Sequence, residues 1–142
     1  MQIETDLFGT ITYEASEVLH FEDGLYGFED AKRFLLIDIQ EMPYKSLQSL
    51  DFEDLAFTVT TPFAFYENYD IEIPEHVVKQ LKIESLDDMD VYSILVFREP
   101  LSESTMNLKA PLIINSKNRV GKQVILNEDY PLKYKFFADT EE

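Results

Sequence analysis

Glu103-Ser104-Thr105-Met106-Asn107-Leu108-Lys109-Ala110-Pro111-Leu112-Ile113-Ile114-Asn115 is the stretch on which the reading of this chain turns. It holds no metal-ligand spacing, no nucleophile beside a base and no phosphate loop. Thr105 and Asn107 have side chains that bond nearby backbone, which favours turns over regular structure. Pro111 has no N–H to give to a sheet. Leu112, Ile113 and Ile114 follow as a short apolar run, the pattern of a buried strand. The stretch therefore predicts a turn or sheet edge that feeds a core strand.

Working outward, most of the other apolar segments also read as strands. Residues 33–39 are short, apolar and bounded by charge. Residues 56–60 and 90–97 are rich in β-branched and aromatic side chains. Residues 9–13, 44–50, 120–126 and 132–137 complete the set. Strands at such short intervals, with turn residues between them, suggest an antiparallel sandwich or a small barrel. One short helix is expected over Pro74–Leu81, with Pro early in its first turn and Val77, Val78 and Leu81 on one side. A second single turn is expected over Gly27–Ala31. The reading is an all-β, antiparallel barrel-like domain spanning 1–142, with one or two short helices and a frayed tail at 137–142.

Composition narrows the function. The chain has 142 residues, which suits one domain that buries roughly two-thirds of its extended-chain surface. Eight Tyr and 11 Phe argue against disorder. There is no cysteine, so a disulfide framework and a thiolate zinc site are excluded. No signal sequence follows Met1, and no apolar run approaches the ~18 residues of a membrane span. A cytoplasmic protein that does not bind a membrane is expected.

The formal charge is −16, from 28 acidic residues against 12 Lys plus Arg. Direct nucleic-acid binding is not expected, because counterion release needs clustered cations. Such a charge serves solubility, and it also steers a basic protein towards the surface. The acids are unevenly placed. Residues 14–30 carry six and no Lys or Arg, while residues 104–127 carry none but include Lys109, Lys117, Arg119 and Lys122. That second segment predicts a weakly basic, solvated flank.

Catalytic and metal chemistry find little support. His20 and His76 are the only histidines and lie far apart in sequence. Asp87-Asp88-Met89-Asp90 lacks the central Gly and terminal Glu of a calcium loop. Gly24-Leu25-Tyr26-Gly27 lacks the Lys-Ser/Thr of a phosphate loop and is flanked by acids, so a turn with positive φ is the better reading. No cofactor is expected. A different segment draws attention: Phe63, Phe65, Tyr66 and Tyr69 fall within seven residues, beside Glu67 and Asp70. Aromatic anchors with an acidic rim are the composition of a protein interface. The competing reading is a loop that covers the core. These six residues are the candidate protein-binding site, on the expectation that four rings cannot all turn inward from one irregular loop.

The opening stretch, written T-x-N-L-x-A-P-x-x-I-N, resembles the signature of FliW, a family of flagellar assembly factors. Four further pieces lie in the same order: Phe8-Gly9; Phe21-x-x-Gly24-Leu25-x-Gly27-Phe28; Leu47-Gln48-Ser49 with Ala56-Phe57 and Pro62; and Gln123 before Val124-Ile125-Leu126. One departure is Tyr26, where many relatives carry Pro, and a less rigid turn is expected there. The resemblance implies a β-barrel-like fold and a protein that binds other proteins without known chemistry. It also implies two partners, the RNA-binding translational regulator CsrA and flagellin. Flagellin retained in the cell would occupy this protein, free CsrA and lower its own translation. The resemblance leaves allosteric or competitive action on CsrA, and the oligomeric state, open. Two alternatives stand beside it: a small acidic hydrolase or metal-binding protein, and a flagellin chaperone with no regulatory role.

Overall fold

A computed structural model describes residues 1–6 and 8–136. The expected frayed tail, and Phe137 at the end of the last expected strand, lie outside the described residues. Eleven strands form among the described residues: β1 (Gln2–Thr5), β2 (Gly9–Thr12), β3 (Leu19–His20), β4 (Arg33–Asp38), β5 (Lys45–Ser49), β6 (Ala56–Thr60), β7 (Met89–Val96), β8 (Thr105–Met106), β9 (Leu112–Asn115), β10 (Val120–Gln123) and β11 (Tyr134–Lys135). The single α-helix among the described residues, α1, is Glu75–Gln80.

Seven strands close a barrel in the order β7-β6-β5-β4-β3-β10-β9, with β9 returning to β7. All pairings are antiparallel except one. β3 and β10 run parallel where Val120 opposes His20, so the barrel is not purely antiparallel. β1 and β2 form a separate hairpin, and β8 and β11 extend from β7 beyond the barrel. Gly27–Ala31, expected to be a helical turn, is instead a tight reversal in which Leu25 bridges Phe28.

Register carries one face around the ring. Leu19 opposes Phe34, Leu36 opposes Leu47, and Leu47 opposes Phe57. Val59 opposes Ile94, Tyr92 opposes Leu112, and Ile114 opposes Gly121. These side chains fill the interior together with Phe21 and Leu25. Gly121 is needed there for space, since a Cβ would lie 2.7 Å from the Phe21 ring. The barrel interior is a packed core.

A second core lies on the outer face of β7, β8 and β9. Val91, Leu95, Met106 and Ile113 meet Val77 and Leu81 of the helical segment and Val124 and Leu126 after β10. That explains the alternation in β7: Val91, Ser93 and Leu95 are buried outward, while Tyr92 and Ile94 point into the barrel, so neither face is left bare. A six-residue helix is marginal alone and persists by docking Val77 into this layer. Asn115 ends it, its Nδ2 donating to the carbonyls of Leu81 (2.8 Å) and Lys82 (3.1 Å).

Candidate functional site

The Asn107 stretch is a large bulge. β8 and β9 pair with the same edge of β7. Between the pairs Leu95–Met106 and Tyr92–Leu112, β7 advances by Ser93 and Ile94, while the facing chain advances through 107–111. Asn107 organises the excess. Its backbone N–H donates to Ile94 at 3.0 Å, and its Oδ1 accepts from the N–H of Lys109 (3.1 Å) and Ala110 (2.9 Å). The bulge turns Leu108 into the outer core and releases β8 to pair with β11. A turn at a sheet edge, as the residue types predict, is what forms.

Gln123 joins this bulge to the two-glycine turn. Its Nε2 donates to Ala110 O at 3.1 Å, and its Oε1 accepts from Tyr26 N–H at 2.9 Å. Gly24 and Gly27 both have positive φ, +67° and +87°, and a Cβ on Gly24 would fall 2.5 Å from the Glu29 carbonyl oxygen. Tyr26 stands between these two glycines. Its N–H, which proline lacks, is an anchor.

The four rings of the candidate site divide. Phe63, in a 3-10 turn over Pro62–Ala64, is 45% exposed. It lines a shallow groove of about 320 Å³ with Pro43, Thr61, Met89 and Tyr92. Phe65 is half-buried against Tyr44 and Phe136. Tyr66 is half-buried among Tyr69, Tyr130 and Tyr134, with centroids 5.1–6.3 Å away. Tyr69 is only 5% exposed, and its hydroxyl donates to Leu108 O at 2.6 Å. Burial raises its pKa, with the Tyr130 phenol and Glu128 adding to the effect. Glu67 and Asp70 remain at the surface. Three of the four rings thus turn inward, made possible by Tyr130, Tyr134 and Phe136 from the C-terminal segment. The Tyr130 hydroxyl accepts from Asp70 N–H at 2.8 Å and donates to Asp70 O at 2.9 Å. What stays at the surface is Phe63, Glu67 and Asp70.

The expected basic flank is engaged rather than free. Lys109 Nζ donates to Glu128 O, Lys117 faces Glu84, Arg119 donates to Glu17 O, and Lys122 pairs with Asp23 at 2.5 Å. These cations pin the closing strands to acidic turns. Tyr26, Phe28, Phe52 and Phe97 are exposed as well, and none of them is marked as a candidate contact by the sequence. The signal was present in Asp51-Phe52-Glu53-Asp54, an aromatic inside an acidic run with no strand alternation.

A hydrolase acid needs a carboxyl held protonated by an apolar wall. The two carboxylates with displaced pKa values move the other way. Asp23 is lowered by the hydrogen bond from Lys122 and then by that from Gln80. Asp51 is lowered although burial opposes it, because Lys32 N–H, Arg33 N–H and the Arg33 guanidinium outweigh the burial. His20 and His76 are both at the surface, and among the described residues no three His, Asp or Glu side chains converge as a metal site. No helix there is long and apolar enough to cross a membrane.

Comparison with known proteins agrees with this architecture. Residues 2–136 match the FliW protein family. The chain is 44% identical over 137 residues to the flagellar assembly factor FliW of Thermoanaerobacter pseudethanolicus, covering 94% of this chain and 91% of that one. It is 41% identical over 143 residues to that of Anoxybacillus flavithermus, covering 100% and 99%. A crystal structure of the flagellar assembly factor FliW superposes with a TM-score of 0.93 at 35% identity, covering 99% of each chain. With a family match over residues 2–136 and an overall fold shared at this level, the chain belongs to the FliW family of flagellar assembly factors.

Proposed function

We propose that this protein works in the cytoplasm as a binding antagonist of the translational regulator CsrA and as a binder of flagellin, exchanging one for the other. It carries out no catalysis in this role. Family membership supports the reading, and the observation that carries it is the surface: −16 formal charge together with exposed aromatic rings. A regulator that binds RNA presents cations, and an acidic surface steers such a partner into encounter. Apolar rings then supply contact that outlasts screening.

The test is a capture experiment with the purified, tagged protein, CsrA and flagellin from the same cells. Each partner is expected to bind alone, and added flagellin is expected to displace CsrA. Failure to retain either partner overturns the antagonist reading. Simultaneous retention of both, without displacement, overturns the exchange.

A further inference from the structure

We propose that the groove between Phe28 and Phe52 is a docking site for a protein segment that presents one apolar side chain flanked by Lys or Arg. The groove encloses about 460 Å³ between the two-glycine turn and the β5–β6 connection. Phe28 is 43% and Phe52 45% exposed, and Leu55 lies between them in the lining. Glu29, Asp30 and Asp54 rim it, and no cation lines it. None of these three carboxylates forms an ion pair among the described residues, in contrast to Asp23, Asp38 and Asp51.

The exposed rings are not the product of a loose loop. Phe28 N–H donates to Leu25 O at 2.8 Å, and its ring meets Phe57 edge-on at 5.2 Å. Gly27 N–H donates to Glu29 Oε2 at 3.2 Å. Across the groove, Ser49 Oγ accepts from the N–H of Asp51 (3.0 Å) and Phe52 (2.9 Å), and Leu55 N–H returns to Phe52 O at 3.0 Å. Asp51 then ties this wall to the other strand through the N–H groups of Lys32 and Arg33. Both walls are fixed before anything binds, which lowers the ordering cost of association.

Charge selects the occupant. An acidic peptide or a phosphate would meet three uncompensated carboxylates, whereas a basic segment would pair with them at the rim. The apolar floor asks for a Leu- or Met-sized anchor between those cations. The inference rests on the reading that this chain is a protein-binding module, but it does not depend on which proteins bind.

The experiment therefore uses neither proposed partner. The probes are a peptide with Leu at the centre of four Lys and its counterpart with Ala in place of Leu. Backbone amide shifts of the full chain are followed by NMR. The Leu peptide is expected to perturb residues 27–31 and 52–55, with at least ~10-fold weaker binding for the Ala peptide. Phe52→Ala, which leaves the Ser49 bonds to backbone intact, is expected to weaken the Leu peptide similarly. Asp30→Lys with Asp54→Lys is expected to abolish its binding. Shifts spread evenly over the acidic surface, equal binding of the two peptides, or indifference to Phe52→Ala in a folded variant would each overturn the proposal.

Discussion

The Tyr69 hydroxyl donates to the Leu108 carbonyl at 2.6 Å, across 39 residues of sequence, and locks the aromatic loop onto the Asn107 bulge. The two segments that stand out in the sequence are therefore one structural unit. Tyr69 is a roof over the bulge, and Leu108 beneath it is fully buried.

Removing that hydroxyl should be felt in stability. Tyr69→Phe keeps the ring and leaves a buried carbonyl without this donor, a cost of about 1–3 kcal/mol in chemical denaturation. Asn107→Ala should cost a similar amount, because two backbone N–H groups lose their acceptor. There is a pH arm as well. Tyr44, Tyr69 and Tyr92 all have raised pKa values, with burial the leading cause for each. A group that holds its proton more tightly when folded contributes fully below the unfolded phenol value of about 10 and loses that contribution above it. Stability should fall as pH rises past that value, and the fall should be shallower in Tyr69→Phe. An identical alkaline slope in the two proteins would show that Tyr69 does not carry it.

Gln123 should couple the two-glycine turn to the bulge. Gln123→Leu orphans Tyr26 N–H and Ala110 O, which predicts a loss of about 2–4 kcal/mol if both stay dry. Tyr26→Pro deletes the same N–H from the other side. The two substitutions should be less than additive in a double-mutant cycle, since the second removes a bond already broken. Strict additivity would mean that the Tyr26–Gln123 contact carries no stability.

Sequence periodicity revealed the strands whose faces both pack, such as β7 and β9, because length and β-branching mark them locally. It missed β1, whose four residues precede the first expected strand, and also β3 and β8, which are two residues long and exist only through pairing. The parallel contact of His20 with Val120 is likewise a product of closure, 100 positions apart, with no local signature. At the candidate site, composition identified the aromatic loop but not its orientation. Counting rings within residues 63–70 suggested an excess for one loop to bury. The missing information was the C-terminal segment, whose Tyr130, Tyr134 and Phe136 provide the inward partners. Phe52 was legible as an aromatic among acids, but only the fold shows that Phe28 faces it across a groove.

Acid should weaken the junction of β4 with the β5–β6 turn. Asp51 accepts from Lys32 N–H at 2.8 Å, Arg33 N–H at 3.0 Å and Arg33 Nε at 3.0 Å. Its folded pKa lies below the ordinary carboxylate value. The contribution is therefore whole above the unfolded pKa of about 3.9 and is lost as pH falls through the folded pKa. Asp51→Ala should cost about 1–2 kcal/mol at neutral pH, discounted for the solvent around Arg33. As pH falls through the folded pKa, the gap between the variant and the parent should narrow. A gap that persists unchanged into acid would assign the cost to packing instead.

The aromatic loop should separate binding from folding residue by residue. Phe63 is the ring that remains exposed, while Phe65, Tyr66 and Tyr69 hold the outer core together. Phe63→Ala should cost only about 0.5–1.5 kcal/mol, since its one ring contact among the described residues is with Tyr69 at 5.6 Å. If Phe63 anchors CsrA or flagellin, the same change should weaken that complex by ~2 kcal/mol or more. Tyr66→Ala should instead lower stability, because it removes three ring contacts at once. Glu67→Lys and Asp70→Lys should slow association and flatten its salt dependence, since exposed charges act over about 8 Å at physiological ionic strength. Raising salt should weaken the parent complex without abolishing it, because the ring contact is not screened. Folded Phe63→Ala, Glu67→Lys and Asp70→Lys variants that bind both partners at the parent affinity would remove this loop from the interface and leave the Phe28–Phe52 groove as the surface to pursue.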